Sequence, residues 1–119
     1  MTVRRVVPDI HVESEEALRT SRDFYGLLGL EEVMSLGWVT TFASPTNPTA
    51  QIIFITEERT APVVPDMSVE VEDVDTVYAQ VVASGAEVVR ELRDEEWGVR
   101  RFFVRDPNGR VVNVLGHRA

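Results

Sequence analysis

Two stretches of the chain carry apolar residues at the spacing of one helix face. The first stripe begins after Ser14 and consists of Ala17, Leu18, Ser21, Phe24, Tyr25 and Leu28. The second begins after Asp73 and consists of Val74, Val77, Tyr78, Val81 and Val82. Ser and Asp often cap helix N-termini, and Gly29 and Gly85 stand where a helix can end in the left-handed conformation. The pattern predicts two amphipathic helices between these residues.

The same order of predicted strands surrounds each helix. One strand precedes it, roughly Val3 to Val12 in the first half and Met67 to Val71 in the second. Three strands follow, and GLEEVM after the first helix corresponds to GAEVVR after the second. The connector EERTAPVVP has two prolines and no helical period. We therefore predict one domain, residues 1–119, with module one at 1–56, a linker at 57–65 and module two at 66–119.

The composition excludes some kinds of site and disfavours some kinds of partner. The 119 residues suffice for one hydrophobic core, and the absence of cysteine excludes thiolate metal sites and cysteine nucleophiles. A net charge of −8 disfavours nucleic acid as a partner, because phosphate binding needs clustered lysine and arginine. The start MTVRRVVPDI has an apolar run too short for a signal peptide or a membrane span. We expect a cytoplasmic protein without membrane or nucleic-acid partners.

The duplicated order, together with DFYGLLGL and WGVRRFFVRDPNGRVVNVL, resembles the vicinal oxygen chelate superfamily of glyoxalases, bleomycin-resistance proteins and extradiol dioxygenases. The resemblance implies an α+β fold in which two βαβββ modules form a half-open, cleft-enclosing mixed β-sheet barrel with helices outside. It also implies a homodimer. Because one fold supports many activities, the site has to be argued separately.

Enzymes of this superfamily hold a divalent metal with four His, Gln or Glu side chains from the first and fourth strands of the modules. Carried over to this chain, those positions fall near Val6 or Val7 and on Ile53, Asp66 and Asn113. Aliphatic side chains do not coordinate metal, and the two remaining oxygen ligands are too few for a firm site. We therefore predict no metal and no cofactor. His11 and His117 fall outside these positions, and we favour a structural role for both over a role as ligand or base.

The resemblance places Asn113 on the cleft face, and strand alternation then places Arg101 and Phe103 there and Phe102 beneath the helices. We expect the Phe103 ring to be partly hydrated. Arg101 either binds an anionic or carbonyl-rich ligand or pairs with an acid such as Asp66, and we favour the pair. Trp97 is expected at the cleft rim or under a loop. The candidate ligand-binding set is Trp38, Ile53, Asp66, Ser68, Trp97, Arg101, Phe103 and Asn113, with packing the favoured role for Trp38.

Two functions follow as hypotheses. The first is a metal-free small-molecule-binding protein, similar to bleomycin-resistance proteins, that holds or sequesters a planar or amphipathic compound. The alternative is a lyase, isomerase or dioxygenase with an atypical metal site or a cofactor-free acid/base pair such as Asp66 with Arg101. No catalytic residue is assigned. The metal content of the purified protein discriminates between the two.

Overall fold

The structure is a computed structural model that describes residues 2–117. These residues form two compact units: Val7–Val64, called the 7–64 unit, and residues 2–6 with 65–117, called the 65–117 unit. The first strand, β1 (Val3–His11), contributes to both units because the division falls within it. Each unit is described by itself.

The 7–64 unit contains one helix and a four-stranded mixed sheet. After β1 come α1 (Glu15–Leu27), β2 (Glu31–Ser35), β3 (Val39–Ala43) and β4 (Gln51–Ile55). The strand order is β2-β3-β4-β1, with β1 parallel to β4 and the other neighbours antiparallel. The sheet is open because β2 is an edge strand.

The 65–117 unit repeats this plan. Its elements are β5 (Met67–Val71), α2 (Val74–Ala83), β6 (Val88–Asp94), β7 (Val99–Arg105) and β8 (Val111–His117). The strand order is β5-β8-β7-β6, with β5 parallel to β8, and the start of β1 lies beside β5. The α+β class and the two predicted βαβββ modules are confirmed, and β6 leaves this sheet open as well.

The predicted helix ends are also confirmed. Ser14 Oγ accepts a hydrogen bond from Ala17 N at 3.2 Å, and Asp73 accepts from both the backbone N and the hydroxyl of Thr76. Gly29 and Gly85 follow the two helices with φ of 97° and 82°. Only glycine adopts this left-handed conformation without strain, so these positions end the helices.

One face of each sheet packs against its helix. In the 7–64 unit Leu18 of α1 packs with Phe42 of β3 and Phe54 of β4. In the 65–117 unit the core comprises Val71, Val74, Phe102 and Val114, with Tyr78 of α2 against Phe102. Because side chains alternate along a strand, the neighbours of these residues point to the other side of the sheet. Among the described residues, no helix is long and apolar enough to cross a membrane.

Candidate functional site

The face of the 65–117 unit away from α2, called the distal face, carries an unusual number of polar groups. Its side chains are Ser68, Glu70, Arg90, Arg101, Phe103, Asn113, Leu115 and His117. Four of them form one row across the sheet, since strand register places Arg90 opposite Phe103, Phe103 opposite Asn113, and Asn113 opposite Ser68. The predicted common face of Arg101, Phe103 and Asn113 is therefore confirmed.

A buried ion cluster lies at one end of this row. Glu95 Oε1 accepts hydrogen bonds from Arg90 Nη2 and from Arg101 Nε, the latter at 3.3 Å. All three residues are at most 7% exposed. Burial lowers the pKa of Arg90, the Glu95 carboxylate opposes this, and the Arg101 charge lowers the pKa further. Glu95 lies in the turn between β6 and β7, and its hydrogen bonds link this turn to Arg90 of β6 and Arg101 of β7.

Aromatic rings surround the two guanidinium groups. The Cζ of Arg101 lies 4.9 Å from the ring centroid of Phe103 and 5.2 Å from that of Trp97, and the Cζ of Arg90 lies 5.9 Å from the Phe103 ring. These distances fit cation–π attraction. Trp97 belongs to the β6–β7 turn and is 36% exposed, so Arg101 contacts a ring that is also open to solvent.

Asn113 is the buried polar residue at the centre of the row. Its Nδ2 donates to Ser68 Oγ at 3.0 Å, and both residues are less than 9% exposed. Its Oδ1 is buried and has no hydrogen-bond partner among the described residues. Leaving a buried acceptor unsatisfied costs about 1–3 kcal/mol. The distal face therefore holds a buried carbonyl oxygen whose hydrogen-bonding capacity is unused among the described residues.

The internal ion pair that we favoured for Arg101 is confirmed, but the acid is Glu95 and not Asp66. Asp66 Oδ2 instead accepts a hydrogen bond from Val111 N at 2.8 Å, and Oδ1 lies 3.9 Å from Arg110. Asp66 is held at the start of β5 by the adjacent end of β8. The expectation about Phe103 is wrong. Phe103 has no exposed surface, so its ring is not partly hydrated.

The remaining candidates lie in the 7–64 unit. Trp38 is 8% exposed and packs with Val39, Ile55, Ile53 and Val64. This agrees with the packing role that we favoured for Trp38. Ile53 is partly buried in the same cluster and lies directly opposite Asp9 of β1. Whether either residue contacts a ligand stays a prediction.

The residues at the superfamily's metal positions do not fit a divalent metal. Val7 and Ile53 offer only carbon atoms, and Asp66 is engaged by Val111 and Arg110. Asn113 donates from its amide to Ser68 and offers a single neutral oxygen. No group of three or more His, Asp or Glu residues suitable for a metal occurs within residues 2–117.

Sequence reasoning missed three polar residues, namely Asp9, Glu70 and Glu95. Glu95 is 4% exposed, and Asp9 is 8% exposed on the side of β1 that also carries Val7. Glu70 contacts His117 on the distal face, with 3.5 Å between His117 Nε2 and Glu70 Oε2. Strand alternation was a signal for Glu70 and Asp9, since they share a face with Ser68 and Val7 respectively. Glu95 lies in a turn, where alternation gives no such signal.

Comparisons with known proteins agree with this architecture. The model of the glyoxalase/bleomycin resistance protein/dioxygenase superfamily matches residues 16–114, so the chain belongs to this superfamily. The resemblance to the vicinal oxygen chelate proteins is confirmed. No curated protein matches the chain.

Solved structures share the fold at low sequence identity. Methylmalonyl-CoA epimerase from Mycobacterium tuberculosis is 18% identical with a TM-score of 0.72, over 98% of this chain and 90% of that chain. A superfamily member from Vibrio splendidus is 16% identical, with a TM-score of 0.67, over 97% and 99%. A structure described as NAD-dependent benzaldehyde dehydrogenase from Legionella pneumophila is 17% identical, with a TM-score of 0.71, over 95% and 99%. These likenesses show the fold and leave the activity open.

Proposed function

We propose that this protein binds a small planar or amphipathic molecule on the distal face of the 65–117 unit and does so without a metal. The observation that carries the proposal is Asn113 Oδ1, a buried acceptor without a hydrogen-bond partner among the described residues. A ligand that donates a hydrogen bond to this oxygen removes its desolvation cost, which favours the bound state.

The residues around Asn113 include polar, aromatic and charged groups, which suits a planar or amphipathic ligand. Ser68 holds the amide in place from β5, which fixes the direction of the carbonyl oxygen. Phe103 lies opposite Asn113 as fully buried apolar support. The partly exposed Trp97 ring offers a flat surface on which a planar compound can stack. Arg101 lies over the Trp97 ring and gives that end of the site a positive charge.

The residues at the metal positions support the metal-free part of the proposal. Two of the four are aliphatic, and Asp66 already binds Val111 N and Arg110. The acid/base pair of Asp66 with Arg101 loses its support for the same reason, because Arg101 pairs with Glu95 instead. A role in sequestering a compound fits a binding site of this kind.

The cytoplasmic location and the homodimer belong to the same proposal. The first rests on the acidic composition. The homodimer rests on the resemblance to the superfamily, whose members often form dimers. Light scattering of the purified protein tests the homodimer, and a mass of one chain would contradict it.

A thermal-shift screen tests the binding function. The panel comprises planar aromatic compounds with and without a hydroxyl or amide donor, and cationic glycopeptides. A compound that binds only the folded protein raises the unfolding midpoint by mass action. Asn113→Leu should abolish the shift while the free protein stays folded, because removal of the unsatisfied oxygen offsets the loss of the hydrogen bond to Ser68 Oγ. The matched variant Gln80→Leu alters an amide on α2 and should retain the shift.

Two results would contradict the proposal. One is a shift that survives Asn113→Leu at full size, since binding would then occur elsewhere. The other is one divalent metal per purified chain together with an activity that is lost on chelation. Elemental analysis of the purified protein decides the second.

A further inference from the structure

A carboxylate on the distal face is held between a guanidinium and an imidazole. Glu70 Oε1 accepts a hydrogen bond from Arg5 Nε, and Glu70 Oε2 lies 3.5 Å from His117 Nε2. The side chains of Glu70 and Arg5 are 13% and 18% exposed, whereas that of His117 is 57% exposed. The carboxylate is therefore fixed and shielded while the imidazole reaches solvent.

His117 has its Nε2 within contact distance of this carboxylate. A carboxylate next to Nε2 favours the form in which Nε2 carries the proton, so the lone pair is on Nδ1. Arg5 limits the motion of the carboxylate by binding its other oxygen. A solvent-accessible imidazole beside a partly buried carboxylate is an arrangement that suits a general base.

We propose that His117 is a proton acceptor of a metal-free catalytic site, with Glu70 as its positioning residue. In this step the proton of a bound molecule moves to His117 Nδ1, the bonding electron pair stays on the molecule, and the resulting imidazolium later returns the proton to product or to water. The inference does not require Asn113, because the proton acceptor and its positioning residue are other residues of the distal face, although both proposals use Trp97.

The neighbourhood of His117 favours planar substrates. Val99 lies directly opposite His117, and Trp97 precedes Val99 by two residues. The Trp97 ring lies on the distal face, since Arg101 contacts it there. The charged groups of this face near His117 are Glu70 on β5, Arg5 on β1 and Arg101 on β7. Trp97 and His117 thus belong to the same face of the sheet.

The second histidine of the chain provides a matched control. His11 Nε2 lies 3.1 Å from the backbone oxygen of Thr56, and its Nδ1 is 3.9 Å from Glu13, whose side chain is 92% exposed. His11 thus has a similar exposure, 48% of its side chain, but no shielded carboxylate on Nε2 in the 7–64 unit. A reactivity that depends on Glu70 should distinguish the two residues.

The test uses nitrobenzisoxazole, a planar probe that reports proton abstraction directly. A base removes the carbon-bound proton, the electrons of that bond form the nitrile, the N–O bond breaks, and a coloured cyanophenolate leaves. Wild-type protein should exceed an equimolar concentration of imidazole by at least roughly tenfold in rate. His117→Gln should lose this excess, Glu70→Gln should lose most of it, and His11→Gln should keep it.

A second measurement separates positioning from folding. The nitrogen-15 chemical shifts of the His117 ring should show the Nε2–H tautomer in the wild-type protein, and circular dichroism should show that Glu70→Gln remains folded. Three outcomes overturn the proposal: a wild-type rate equal to that of imidazole, an equal loss in His11→Gln and His117→Gln, or a His117 ring that carries its proton on Nδ1. If Asn113→Leu loses ligand binding but keeps the wild-type rate with the probe, the result supports the proposed binding function and shows that proton abstraction does not depend on Asn113.

Discussion

Phe102 and Phe103 are consecutive residues of β7, both have no exposed surface, and they pack on opposite faces of the sheet. Phe102 contacts Tyr78 of α2, with ring centroids 4.9 Å apart. Phe103 lies between the guanidinium groups of Arg90 and Arg101 and opposite Asn113. The strand therefore has an apolar contact with the helix on one side and a largely polar environment on the other.

Replacing either ring by alanine should be costly. Phe102→Ala and Phe103→Ala should each lower the free energy of unfolding by about 3–5 kcal/mol, because a fully buried ring leaves a cavity. Urea unfolding of the two variants measures this. The burial of Phe103 removes the reason to expect a smaller loss there, and a loss below about 1 kcal/mol for Phe103→Ala would contradict the packing described.

Glu95 should be far more important for stability than its neighbour in sequence. Glu95→Gln removes the charge that Arg90 and Arg101 share in a buried site, and breaking such a cluster costs about 3 kcal/mol or more. Glu96→Gln is the matched control, because Glu96 is exposed and a surface change of this kind costs within about 0.5 kcal/mol. Equal unfolding midpoints in urea for the two variants would show that Glu95 is not the centre of the cluster.

The partner of Arg101, which is Glu95 and not Asp66, shows what sequence reasoning can and cannot predict. The order of elements and the helix caps follow from periodicity and from the preferences of Ser, Asp and Gly, which act over a few residues. The fold and the position of Asn113 on one face were implied by the resemblance to the superfamily, and strand alternation then added Arg101 and Phe103. The partner of Arg101 does not follow, because Glu95 lies in a turn and the pairing of β6 with β7 contains two register shifts. Alternation gives the side of a strand on which a residue lies, but not the path of a turn.

Burial is the second property that sequence pattern left open. The prediction that Phe103 faces away from the helix is confirmed, but the expectation that this face is hydrated is wrong. Similarly, the contact of Glu70 with His117 joins two residues that are distant in sequence and adjacent only because β5 and β8 are parallel neighbours. Contacts of this kind depend on strand order, which a repeat of local patterns does not specify.

The cap of α2 should make the stability of the protein depend on pH in the acidic range. Hydrogen bonds from the Thr76 side chain and backbone lower the pKa of Asp73 below its ordinary value of 3.8. Its contribution to stability is therefore complete above pH 3.8 and is lost as the pH falls through the lower pKa of the folded state. Thermal unfolding between neutral and acidic pH should show that Asp73→Ala lowers the midpoint at neutral pH and reduces the decline in acid.

Ser14→Ala is the control for that experiment. Ser14 caps α1 by the same kind of hydrogen bond but carries no titrating group. Its replacement should lower the midpoint by a similar amount at every pH. If the two variants show the same pH dependence, Asp73 does not titrate as its hydrogen bonds to Thr76 require.

Ile53 offers a test of the register between β1 and β4. Ile53 lies directly opposite Asp9 and packs beside Trp38, so both Ile53→Gln and Ile53→Glu lose apolar contact. The glutamate variant adds a negative charge opposite another, and like charges in directly opposed positions destabilise a sheet by about 0.2–1 kcal/mol. Ile53→Glu should therefore unfold at a lower urea concentration than Ile53→Gln. In an Asp9→Asn background the difference should shrink, because the opposing charge is gone, and an undiminished difference there would mean that another group faces Ile53.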